Sequence, residues 1–135
     1  MVSEGIHPFG ALLRVLRVRS GLSQNQLARR AGVDPAYVNR LERASPTSSS
    51  LPSRKVVMAL ADTLDVGPVD VERLLVAAGL CPEAIVRLGG WDASLGDIAD
   101  VLADTRLSHD DRAELRELLR IVAGRWRARP SSASA

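Results

Sequence analysis

Aromatic residues and cysteine are scarce in this chain of 135 residues. Aromatics make up 3% of the residues, and Cys81 is the one cysteine, so no disulfide can form within the chain. A core must therefore be built mostly from Leu, Val and Ala, which suits closely packed helices. The two histidines, His7 and His109, lie far apart with no cysteine cluster, so neither a metal nor another cofactor is expected.

Long apolar runs and strand-like alternation are missing as well. No stretch of about 18 uncharged apolar residues occurs, and no basic segment followed by an apolar run opens the sequence. These absences predict an all-α, cytoplasmic protein without a membrane span. A glycine-rich phosphate loop, a metal-ligand spacing and a nucleophile motif are also lacking, so an enzyme is not expected.

Charge is divided unevenly along the chain, whose formal net charge is +2. Residues 1–60 have a net charge of +6, whereas residues 61–135 have a net charge of −4. A basic half fits a polyanionic partner such as nucleic acid, and an acidic half would repel one. Solvation of exposed helix faces is the alternative explanation for such charge runs.

The stretch from Gly21 to Arg43 contains the pattern of two short helices with a sharp turn between them. Ser23 is a good N-cap for the first helix, and Gly32 ends it because glycine adopts the left-handed conformation without strain. Asp34 can cap the second helix, with Pro35 at its first position. Two capped helices so close together form a helix-turn-helix, whose second helix can enter the major groove of DNA.

Four pieces of this stretch are typical of one protein family. They are Leu22-Ser23-Gln24, Leu27-Ala28, Ala31-Gly32-Val33 and Leu41-Glu42-Arg43. With them the chain resembles the phage-repressor and Cro-like (XRE-type) helix-turn-helix family, less sharply over the whole span from about Phe9 to Leu80. The resemblance implies a repressor-like DNA-binding domain of five helices.

The chain is expected to divide into a helix-turn-helix domain over residues 1–81, a C-terminal helical extension of about two helices over residues 82–129, and a disordered tail over residues 130–135. A short helix over residues 82–88 and a boundary at Gly89-Gly90 are further possibilities in this region. The Ser- and Pro-rich segment 44–52 is expected to form a loop.

Base-reading residues are expected on the outward side of the second helix of the motif, because a helix in the major groove presents its N-terminal residues to base edges. The position along the helix and the resemblance together indicate Pro35, Ala36, Tyr37, Asn39 and Arg40. Arg40 can pair bidentately with guanine, and Asn39 can pair with adenine. A solvated Arg40 and a partly buried Tyr37 are the alternatives.

Phosphate contacts are expected from Gln24, Arg43, Arg54 and Lys55. The resemblance places Gln24 and Arg43 in phosphate-binding positions. Arg54 and Lys55 lie in the first turn of the predicted fourth helix, where positive charge opposes the helix dipole, so an anionic partner would account for them. Ordinary solvent exposure accounts for them equally well.

The resemblance also implies a structural ion pair between Arg17 and Glu42 beneath the motif. In the extension, an apolar stripe offers a candidate dimer interface, made of Leu115, Leu118, Leu119, Val122 and Trp126. Such a stripe packs either within the chain or against a second copy, and a symmetric homodimer held largely by residues 92–127 is expected.

The function expected is that of a sequence-specific regulator of transcription that binds double-stranded DNA, by default a repressor. The alternative is a protein-interaction module or antitoxin-like protein that retains the helix-turn-helix scaffold. In that case the acidic C-terminal helices would bind another protein.

Overall fold

The computed structural model describes residues 8–43 and 51–130 of the chain. Within these residues it contains eight α-helices and no β-strand, which confirms the all-α fold class. The helices are α1 (Pro8–Arg19), α2 (Gln24–Ala31), α3 (Pro35–Arg43), α4 (Arg54–Leu64), α5 (Pro68–Ala77), α6 (Glu83–Leu88), α7 (Ala93–Ala103) and α8 (His109–Arg127).

Local capping produces the helix-turn-helix from α2 and α3. The Ser23 hydroxyl accepts a hydrogen bond from the Gln26 backbone N–H at 3.0 Å, and the Ser23 N–H donates to the Gln26 side chain at 2.8 Å. This reciprocal capping box satisfies two donors at the start of α2. Gly32 ends α2 with a φ of 76°, and the Asp34 carboxylate accepts from the Ala36 N–H at the start of α3. The predicted bounds of the motif are therefore confirmed.

The buried side chains of α1 to α5 form one hydrophobic core. Its largest fully buried members are Phe9, Leu13, Leu16, Leu27, Leu60, Leu74, Leu75, Val38 and Val57. At Gly10 the backbone of α1 comes so close to α3 that an added Cβ would lie 2.3 Å from the Leu41 carbonyl oxygen. The lack of a side chain at Gly10 thus allows the backbones of α1 and α3 to pack in direct contact.

Residues 1–90 and residues 91–135 form two compact units. The first unit extends past the boundary predicted after residue 81, because α6 is anchored to earlier helices. The Glu72 carboxylate accepts hydrogen bonds from the backbone N–H groups of Glu83 and Ala84, each at 3.1 Å, and Arg54 pairs with Glu83. The first unit ends at the glycine pair Gly89-Gly90, which the sequence also indicated as a boundary and where Gly90 has a φ of 151°.

The second unit contains α7 and α8. Ser108 caps α8 through a capping box with Asp111, and the Arg112 guanidinium donates to the Leu102 carbonyl at 2.9 Å and to the Asp104 carbonyl. Among the described residues of this unit, 91–130, no side chain is buried. Several of its large apolar side chains, among them Leu118, Ile121, Val122 and Trp126, are more than half exposed, and the others are only partly buried.

Some expectations fall on residues outside the described ranges. These are most of the loop expected over residues 44–52 and the tail after Pro130. In the described part of the chain, no helix combines the length and the apolar character that crossing a membrane demands.

Candidate nucleic-acid interface

Helix α3 turns one side to the core and the other side outward. Val38, Leu41 and Glu42 are buried. The five predicted base-reading residues lie on the remaining surface, where Pro35, Ala36 and Arg40 are exposed and Tyr37 and Asn39 are half-buried. The N-terminal half of this helix is thus accessible to an external partner.

The buried carboxylate of α3 is neutralised by an arginine from α1. Arg17 Nε lies 2.7 Å from Glu42 Oε2, and Arg17 Nη2 lies 2.9 Å from Oε1, with side-chain exposures of 14% and 3%. The hydrogen bonds that Arg17 donates to the Glu42 carboxylate raise the pKa of Arg17. A third donor of Arg17 reaches the Leu22 carbonyl at 3.0 Å. The expected ion pair is therefore present. Through it Arg17 of α1 is bonded to Glu42 of α3 and to Leu22, which precedes α2.

This ion pair extends into a polar chain that reaches two of the predicted DNA contacts. Gln24 Nε2 donates to Glu42 Oε1 at 3.3 Å, and Asn39 Nδ2 donates to Gln24 Oε1 at 3.0 Å. Each amide group uses only part of its capacity, so Gln24 keeps one N–H and Asn39 keeps one N–H and its carbonyl oxygen. The orientations of both side chains are thus set from inside the domain.

A hollow of about 430 Å³ lies above this polar chain. Its lining side chains come from α1, α2 and α3 and are Arg14, Arg17, Gln24, Asn39, Glu42 and Arg43. Three arginines face one carboxylate, so the hollow is electropositive and suits an anionic group. Arg14 was not among the predicted contacts, although its three-residue spacing from Arg17 places both on one side of α1.

The remaining predicted DNA contacts differ in whether their side chains already have partners within the protein. The Arg40 guanidinium carbon lies 5.7 Å from the centre of the Tyr37 ring, a weak cation–π contact at an exposed site. Arg54 donates to the Glu83 carboxylate and to the Cys81 carbonyl, and it lines no part of the hollow. Lys55 is exposed and has no side-chain partner within residues 8–43 and 51–130. The structure therefore groups Gln24, Asn39 and Arg43 but leaves Arg54 elsewhere.

The predicted dimer residues on α8 are accessible to different degrees. Leu118, Val122 and Trp126 are 53%, 52% and 58% exposed, whereas Leu115 and Leu119 are half-buried. Ile121 is 58% exposed and was missed, because it lies at the edge of the stripe that helical spacing indicates. Across the described residues, no group of three or more metal-binding side chains comes together.

Part of the chain is similar to known proteins. A family model described as a helix-turn-helix domain matches residues 8–74. Among solved structures, the restriction-modification controller protein C.AhdI from Aeromonas hydrophila is 38% identical, with 48% of this chain and 92% of that chain covered and a TM-score of 0.40. A comparison with curated proteins found no match. The chain belongs to the helix-turn-helix family of DNA-binding transcription regulators, of the phage-repressor and Cro-like (XRE) type.

Proposed function

We propose that the chain is a sequence-specific regulator that binds double-stranded DNA as a homodimer and represses transcription. The observation that carries this proposal is the juxtaposition of the accessible N-terminal half of α3 with the electropositive hollow between α1, α2 and α3. The helix supplies groups that can reach base edges, and the hollow supplies groups for the phosphate backbone.

Base readout is assigned to Asn39 and Arg40, with Tyr37, Pro35 and Ala36 completing the surface. Arg40 is exposed and makes no ion pair in the described residues, so its guanidinium is available to a guanine. Asn39 keeps the donor and acceptor that adenine requires, because only one of its N–H groups is used by Gln24. Pro35 and Ala36 contribute shape and apolar contact.

Phosphate binding is assigned first to Gln24 and Arg43, with Arg14 added by the geometry of the hollow. Arg14 and Arg43 are exposed at its rim and have no side-chain partner in the described ranges. Lys55 is proposed as a further contact. Arg54 is proposed as a weaker one, since a phosphate would compete with its pairing to Glu83.

Homodimeric action follows from the size of the reading surface. One helix-turn-helix contacts only a few base pairs, whereas two copies can read half-sites about 34 Å apart. A dimer on a promoter blocks polymerase by occupancy alone and needs no separate activating surface. Repression is therefore the simplest outcome of binding.

Selection of bound sites from random duplex DNA tests this proposal. We expect an enriched palindromic site, with half-sites one helical turn apart and affinity that falls steeply with salt. The Arg40→Ala variant should enrich a more degenerate site, and Arg29→Ala, an exposed arginine of α2 outside the hollow, serves as the matched control. No enrichment of duplex at low salt would favour the protein-interaction module instead.

A further inference from the structure

One side of α8 combines exposed apolar side chains with two acidic and two basic residues. Six residues share this side, beginning with Asp111. The other five follow it after three, seven, eleven, fourteen and eighteen positions and are Glu114, Leu118, Val122, Arg125 and Arg129. These spacings place the six residues along one side of the helix and its immediate continuation. All six are exposed. The order along this side is acidic, apolar, then basic.

The two central charges are not used within the chain. Glu114 and Arg125 make no ion pair or side-chain hydrogen bond in the described residues. Arg129 lies over the Trp126 ring with its guanidinium carbon 3.6 Å from the ring centre, so it is held at the basic end. The second unit buries no side chain among residues 91–130, so this side of α8 lacks a cover.

We propose that a second copy of α8 covers this surface, with the two helices antiparallel and the two-fold axis at the level of Arg120. This inference rests on the proposed homodimer and names its contact. At that register Leu118 lies opposite Val122 of the second copy. Glu114 lies opposite position 126 of the second copy, one residue from its Arg125. Asp111 and Arg129 form the outer pair. Each contact occurs twice because the interface is isologous.

The order of charges selects both the partner and its direction. A surface that runs from acidic to basic is complementary to itself only when one copy is reversed. Parallel copies would set Glu114 beside Glu114 and Arg125 beside Arg125, and like-charge juxtaposition is unfavourable. An uncharged, purely acidic or purely basic partner would leave one end of the surface unmatched. The helix of 19 residues, about 28 Å long, presents this pattern over its whole length.

Sedimentation of the full chain without DNA tests the contact through charge reversal. Glu114→Arg and Arg125→Glu should each weaken the dimer by about tenfold or more, because two attractive pairs become two repulsive ones. The double variant E114R/R125E should recover dimerisation close to that of the unsubstituted chain. An equimolar mixture of the two single variants should form a heterodimer, since each chain then carries charges opposite to those it faces.

Arg116→Glu is the matched control. Arg116 is exposed, lies on the same helix and, at 100° per residue, points about 160° away from Leu118. Its reversal should leave the dimer within about twofold of the unsubstituted chain. Circular dichroism of every variant establishes that α8 remains helical, so that a lost dimer is not mistaken for a lost helix.

Several outcomes would overturn the contact. They are a monomeric unsubstituted chain at high micromolar concentration, single variants that dimerise normally, or a double variant as weak as the singles. DNA binding is measured separately, on a half-site that one copy can occupy. Failure of the unsubstituted chain to bind any half-site, with rescue by the double variant intact, would reject the proposed function but retain the antiparallel contact.

Discussion

Asn39 of α3 donates a hydrogen bond to the side-chain oxygen of Gln24 of α2, at 3.0 Å. The two residues are assigned different tasks on DNA, base readout for Asn39 and phosphate binding for Gln24. Because Gln24 also donates to Glu42, the orientation of the base-reading amide depends on the ion pair beneath the motif. If these proposed roles hold, base selection and backbone anchoring are coupled through one polar chain.

This coupling predicts different effects for the two amide residues. Asn39→Ala should relax selectivity at one base pair by about 1–3 kcal/mol. Gln24→Ala should weaken binding to all sites and also relax the same base pair, because Asn39 loses the acceptor that orients it. Competition binding on the selected site and its single-base variants measures both effects. The neighbouring Asn25→Ala is the control, and unchanged selectivity in Gln24→Ala would show that the coupling is absent.

The ion pair predicts a large stability effect at Glu42. Glu42→Ala should lower the free energy of unfolding by about 3–5 kcal/mol, since Arg17 would be left without its charge partner in a mostly buried site. Urea denaturation measures the loss. Arg17→Ala should be similarly costly, and the double variant should cost less than the sum of the two. A Glu42→Ala variant with the stability of the unsubstituted chain would contradict this account.

The backbone contact at Gly10 predicts that even a methyl group is harmful there. Gly10→Ala should destabilise the domain by about 1–3 kcal/mol, because the new Cβ would meet the Leu41 carbonyl oxygen at 2.3 Å. Gly124→Ala in α8 is the control, since nothing lies within 4 Å of its added Cβ. That variant should be neutral or stabilising, as alanine favours a helix. Thermal unfolding of the two variants compares them, and equal melting temperatures would refute the close contact.

The capping box of α8 predicts a dependence of helix stability on acid. Hydrogen bonds from Ser108 lower the pKa of Asp111 below its ordinary value. A carboxylate with a depressed folded pKa contributes stability above its unfolded pKa of about 3.9, and the contribution is lost as the pH falls through the folded pKa. Thermal unfolding followed by circular dichroism, from neutral to strongly acidic pH, measures this contribution. The unsubstituted chain should be more stable than Asp111→Asn at neutral pH, and this difference in stability should shrink as the pH falls.

Asp110→Asn is the control for this titration. Asp110 adjoins Asp111 but accepts no hydrogen bond in the described residues, so its substitution leaves the capping box in place. A constant difference between the unsubstituted chain and Asp111→Asn at every pH would remove Asp111 from the cap.

The parts of this molecule that the sequence could predict are those set by near neighbours. Ser23 and Gly32 mark the ends of α2 because capping and left-handed geometry are local properties. The Arg17–Glu42 pair spans 25 positions and was reached through the family resemblance.

Contacts that depend on how helices pack were not accessible in this way. The bond between Gln24 and Asn39 requires the angle between α2 and α3, and the pairing of Arg54 with Glu83 joins residues 29 positions apart. The same pairing explains why α6 belongs to the first unit, although the predicted helix-turn-helix domain ended before it at residue 81. Neither spacing nor propensity encodes these distances.

The absence of buried side chains among residues 91–130 bears on how DNA binding would depend on the concentration of the protein. If a second copy covers α8 as proposed, the dimer is favoured by mass action, so the dimeric fraction depends on how much of the protein is present. Operator occupancy would then rise with roughly the square of the monomer concentration while monomers predominate. A gene under such control would respond to a modest change in regulator abundance as a threshold rather than as a gradual slope.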